Sequence, residues 1–154
     1  MKKLEISAFD IAQRFVGVKE TPGTVSNPMI VAMLRLDQAW PTGEEVPWCS
    51  AFMNYVAWIL RLPRSKSLAA RSWLDVGMPV TTDKAEAGFD VVILQRGTGI
   101  QPGPEVTNAP GHVGLFAGLN VPTKTVLVLG GNQGDAVNIK AFPVEQILGI
   151  RRLV

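Results

Sequence analysis

The chain has 154 residues, with 47% hydrophobic and 18% charged side chains. That balance is the one of a globular protein with a sizeable core, and it excludes a disordered chain. A formal net charge of +2 suits contact with an anionic surface but is too weak to argue for nucleic acid, and one cysteine excludes an internal disulfide framework.

The N-terminus, Met1 to Ile6, begins like a signal peptide, but Glu5 and Asp10 interrupt it and no apolar segment follows. No run approaches the roughly 18 apolar residues of a membrane span. The expectation is a single domain over residues 1–154, monomeric and cytoplasmic when synthesised. Any work elsewhere would then require release or delivery.

In chain order, Ala8 to Val16 carries Phe9, Ile11, Ala12, Phe15 and Val16 at helical spacing, with Ser7 as N-cap. Pro22-Gly23 breaks this element, and Asn27-Pro28 opens a second helix from about Met29 to Leu36. Ala39 to Pro47 reads as a loop. Trp48 to Leu60 is the strongest helix, ended by Leu62-Pro63, and Leu68 to Val76 is a further short one. Then the period changes. Phe89 to Gln95 is a short apolar run with β-branched residues, as strands tend to be. His112 to Leu119, Thr125 to Leu129, Ala136 to Ala141 and Ile147 to Leu153 follow with Gly, Pro and Asn between them. Strands this close are mostly antiparallel, since parallel neighbours need a long crossover. The fold class is therefore α+β: N-terminal helices, then an antiparallel sheet of about five strands. Gly97 to Pro110 is a long loop just before His112, the kind that often borders a site.

The chemistry centres on Cys49 and His112, the single cysteine and single histidine. Pro47 near the first helical position puts Cys49 in an opening turn, where unpaired N–H groups and the macrodipole favour a negative sulfur. Glu44 and Glu45 oppose this. The bland alternative is a small buried cysteine, as free cysteines commonly are. His112 shares one strand face with Gly114 and Phe116, while Val113 and Leu115 share the other. A general base must itself be oriented by a third group. Asn132, at the end of the next strand, is the candidate; within Gly-Gly-Asn-Gln-Gly it also reads simply as a turn residue. Trp48, beside the cysteine, is kept as a possible substrate wall. Asp90 reads as a cap or turn residue and the Arg151-Arg152 pair as solvated. No Gly-x-Ser-x-Gly elbow is present, and one histidine with one cysteine argues against a zinc site.

Trp48-Cys49-Ser50-Ala51-Phe52, Gly88-Phe89-Asp90-Val91-Val92, Gly111-His112-Val113-Gly114-Leu115-Phe116 and Gly131-Asn132-Gln133 resemble the CHAP and NlpC group of papain-like peptidoglycan hydrolases. The run from Val137-Asn138-Ile139 to Arg151-Arg152 resembles, more narrowly, small single-domain members from phages and bacterial genomes. The resemblance implies a nucleophile helix packed on the antiparallel sheet, with Cys49, His112 and Asn132 as nucleophile, base and orienting residue. It implies peptidoglycan as partner and a lytic role, as in a phage endolysin. Many CHAP domains carry Glu two residues before the asparagine; here that place is Gly130. This favours the Cys-His-Asn form, with Gln133 as a possible substitute and a further substrate contact. The aspartates that hold calcium in some CHAP relatives are lacking before Cys49, so no metal or cofactor is expected. Two other readings remain open: a papain-like deamidase or acyltransferase, and a non-catalytic wall-binding domain.

Overall fold

The computed structural model describes residues 1–154. Three α-helices, α1 (Ala8–Gln13), α2 (Pro28–Leu34) and α3 (Cys49–Ile59), precede six strands. These are β1 (Met78–Val80), β2 (Asp90–Gln95), β3 (Gly111–Asn120), β4 (Thr125–Gly130), β5 (Asn138–Pro143) and β6 (Ile147–Arg152). They form one sheet in the order β1-β6-β2-β3-β4-β5, and every neighbouring pair is antiparallel. The expected α+β class holds. The extra strand is β1, three residues with Pro79 in the middle; proline lacks the ladder donor and is tolerated there because the strand lies at the sheet edge.

Local chemistry accounts for the helix starts. Ser7 and Asp10 form a reciprocal capping box on α1, and Asn27 caps α2 with Pro28 at its first position. α3 differs, because its N-cap Trp48 offers no side-chain acceptor. Its first N–H groups are left for another partner. The segment expected as a short helix after Leu68 is a 3-10 helix, Ala70–Asp75. No helix is long and apolar enough to cross a membrane.

Alternation along β2 and β3 divides the core in two. Val91, Ile93, Val113 and Leu115 join Phe52, Met53, Val56 and Trp73 on the helix side of the sheet. Val92, Leu94, Phe116, Val126, Val128 and Ile150 form a second cluster, with Phe142 and Val144 packed against it. β2 is thus buried on both faces, which explains its continuous apolar run. Asp90 opens that strand fully buried. It accepts two hydrogen bonds from the Arg152 guanidinium at 2.7 and 2.8 Å and one from the Glu86 N–H. The turn expected at Asp90 is there; Arg152, expected to be merely solvated, ties β6 to β2 instead.

Candidate active site

Cys49 is the first residue of α3, and only 2% of its surface is exposed. Burial raises its thiol pKa above the ordinary value, because a desolvated thiolate is costly. The N–H of Val113, the charge of Arg96 and the N–H groups at the helix start pull in the opposite direction. The sulfur therefore lies close to β3 at the residue that follows His112.

The helix start is pinned by a buried polar network. Ser50 Oγ donates to the Ser67 carbonyl at 2.6 Å and accepts from Trp73 Nε1 at 2.9 Å. Asn54 donates to the Ser50 and Ser67 carbonyls and accepts from the Lys66 N–H. With one end of α3 held to the segment 65–73, Cys49 has a defined backbone position.

His112 is 6% exposed and its ring lies 5.3 Å, centroid to centroid, from Phe142. Its Nε2 is 2.9 Å from Gln133 Oε1. The orientation of the Gln133 amide is settled by its other end, where Nε2 donates to the Val128 and Asn138 main-chain carbonyls at 3.1 and 2.8 Å. Carbonyls only accept, so the oxygen must face the imidazole and His112 Nε2 must carry the proton. The neutral ring then has its lone pair on Nδ1. Burial is the main cause of a lowered His112 pKa; the Gln133 bond opposes it, and Arg96 and Lys140 add to it.

Gln133, not Asn132, is therefore the hydrogen-bond partner of His112. Asn132 adopts a left-handed conformation, φ 57°, in the turn after β4, and it lines the cavity beside the imidazole without bonding to it. The swap has a steric basis at Gly130. A Cβ there would lie 2.7 Å from Gln133 Oε1 and 3.5 Å from His112 Nε2. The missing side chain leaves the space that the Gln133 amide occupies.

Trp48 is fully buried, its Nε1 bonded to Glu20 Oε1 at 2.8 Å, so it walls no groove. Its ring instead fills the space above Gly131. Trp40 and Trp58 are exposed, yet they border neither cavity at the site.

Two cavities flank the start of β3. One, of about 350 Å³, is lined by His112, Asn132, Gln133, Lys140 and Phe142; the other, of about 290 Å³, by Cys49, Ala69, Ala70, Pro110 and Gly111. Thiol and imidazole approach the strand from opposite faces, as the alternation of His112 and Val113 requires, and no hydrogen bond joins them. Arg96 borders both cavities. Sequence reasoning missed Arg96, which carries no motif. It also missed Arg71, fully buried, which donates to the carbonyls of Pro102, Gly103, Val106 and Pro110 and so shapes the loop walling the Cys49 side.

Neither a protein-family model nor a curated protein sequence matches this chain. Among solved structures, NlpC1 from Trichomonas vaginalis aligns with 95% of the chain at a TM-score of 0.53 and 14% sequence identity. The fold is NlpC/P60-like and papain-like. The P60 domain of the M. avium paratuberculosis antigen MAP1272c aligns with 96% of the chain, and 93% of its own length, at 19% identity and a TM-score of 0.49. The match covers 42% of the NlpC1 chain. Identities at this level speak for the backbone arrangement alone.

Proposed function

We propose that the protein is a cysteine-dependent peptidoglycan hydrolase, an amidase or peptide endopeptidase with a lytic role such as that of a phage endolysin. The observation that carries this reading is the fixed tautomer of His112. Gln133 holds the Nε2 proton, which leaves Nδ1 as a base at the strand beside the only thiol.

Both groups rest in their neutral forms, so the thiolate arises by proton transfer during attack. His112 Nδ1 takes the Cys49 proton as the sulfur bonds to the amide carbonyl carbon. The uncapped N–H groups at the start of α3 face the oxyanion that develops. Collapse breaks the C–N bond, with the proton passing from His112 to the leaving amine, and water hydrolyses the thioester. Proton transfer requires that the thiol and Nδ1 come within hydrogen-bond reach at the start of β3 when substrate binds. Catalytic hydrogen bonds are commonly long or absent before substrate arrives. Peptidoglycan as substrate rests on the sequence motifs together with the NlpC/P60-like fold.

Digestion of purified peptidoglycan by wild type and by Cys49→Ala, with products identified by mass spectrometry, tests the proposal. Fragments released only by the wild type support it, and their new ends distinguish amidase from endopeptidase. One observation favours a second, non-catalytic reading: the thiol is buried and unbonded to His112. No release from several wall types, with a thiol inert to alkylation, would establish that alternative. No release despite a reactive thiol would move the search to protein amides.

A further inference from the structure

We infer that Arg96 is a specificity-determining residue of this site, binding a substrate carboxylate so that amides flanked by a free carboxylate are cut in preference to their carboxamide forms. The inference rests on the hydrolase reading above. Arg96 directly follows β2, whose last residue, Gln95, pairs with Gly111, so its backbone is anchored beside the residue that precedes His112. The side chain is exposed, and no hydrogen bond or ion pair to another protein group engages it. By contrast, Arg71 is engaged by loop carbonyls, Arg152 by Asp90 and Arg64 by Asp37.

Of the charged residues lining the two cavities, Arg96, Asp135 and Lys140, only Arg96 borders both, and the Cys49 side holds no other charge. Lys140, on β5, borders the His112 cavity alone, with its Nζ 5.4 Å from the Phe142 ring. Arg96 is close enough to act electrostatically on both Cys49 and His112. A substrate in either cavity therefore meets Arg96 at its wall. A planar fork of donors with no internal acceptor selects a carboxylate, which accepts two parallel bonds, over a carboxamide, which itself carries donors that face the guanidinium.

The test uses one peptidoglycan whose peptides carry free carboxylates, and the same polymer after carbodiimide coupling to ammonia, which converts carboxylate to carboxamide. Wild type should release fragments from the untreated polymer roughly 10- to 100-fold faster than from the amidated one. Arg96→Gln should fall to the amidated rate on both, Arg96→Lys should retain part of the preference, and both variants should unfold at the wild-type temperature. Equal wild-type rates on the two polymers overturn the inference and leave the hydrolase reading intact. So does a preference that survives in Arg96→Gln. Failure to release anything from either polymer overturns the hydrolase reading, and this inference with it.

Discussion

His112 is held by an amide whose own orientation is dictated by two main-chain carbonyls, and this makes Gln133 the most informative single residue to change. Gln133→Ala removes the Nε2 partner and should lower kcat by about 100-fold, within the span that general acid–base catalysis contributes. Asn132→Ala should change kcat far less. It places a non-glycine, non-asparagine residue at φ 57° and should cost about 1 kcal/mol of stability, read by urea unfolding. A large kcat loss in Asn132→Ala with a mild Gln133→Ala would reverse these assignments. The protonation states add a second expectation. His112 titrates below the ordinary 6.5 and Cys49 above the ordinary 9.0, burial being the first cause of each. Since the base must be neutral, the acid limb of kcat/KM should fall below pH 6.5. Alkylation of Cys49 by iodoacetamide should keep accelerating as pH rises past 9.0. An alkylation inflection below neutrality would mean a preformed thiolate–imidazolium pair instead.

The helix α3 meets its surroundings at two points where small changes have large consequences, the segment 67–73 and the turn after β4. Ser50 accepts from the buried Trp73 indole and donates to Ser67. Ser50→Ala leaves the indole N–H without its partner and should cost about 1–3 kcal/mol, measured by denaturant unfolding. The second point is Gly131, where a Cβ would stand 2.7 Å from Trp48 Cζ3 and 2.8 Å from Phe52 Cβ. Such overpacking of a filled core costs about 1–3 kcal/mol. Because Gly131 stands two residues before Gln133 in the same turn, Gly131→Ala should lower both stability and kcat. An unaltered unfolding midpoint would show that the turn can slide off α3 without penalty.

At the scale of the molecule, a sheet whose central strands are buried on both faces lets one strand serve two environments. β3 presents Val113 to the helix layer and His112 to the second core, and its first residues are where the Cys49 and His112 cavities adjoin. The long connection from β2 to β3 is ordered from beneath by Arg71, whose Nη1 and Nε reach four main-chain carbonyls while Nη2 has no partner. A buried guanidinium without a carboxylate is an expensive fixture. Its effect here is to fold a segment that has almost no apolar residues of its own. Arg71→Met should loosen that loop by about 1–2 kcal/mol, making proteolytic cleavage within residues 98–108 roughly 5- to 30-fold faster. Unchanged cleavage kinetics would mean the loop is held by other contacts.

Much of this was already determined by the chain alone. Helical spacing, the Ser7 and Asn27 caps, the alternation that puts His112 and Val113 on opposite faces and the position of Cys49 at a helix start are all local properties. They follow from periods of 3.6 and 2 and from side-chain hydrogen bonding within a turn. What stayed hidden depends on long-range geometry. Asn132 and Gln133 are adjacent, and only the path of the turn after β4, with the void at Gly130, decides which one meets the imidazole. Trp48 beside the nucleophile is equally compatible with a groove wall or a core; packing against Gly131 and Glu20 decides it. Arg96 gains its position from the register of β2 against β3, and register is a property of paired strands that neither strand carries by itself.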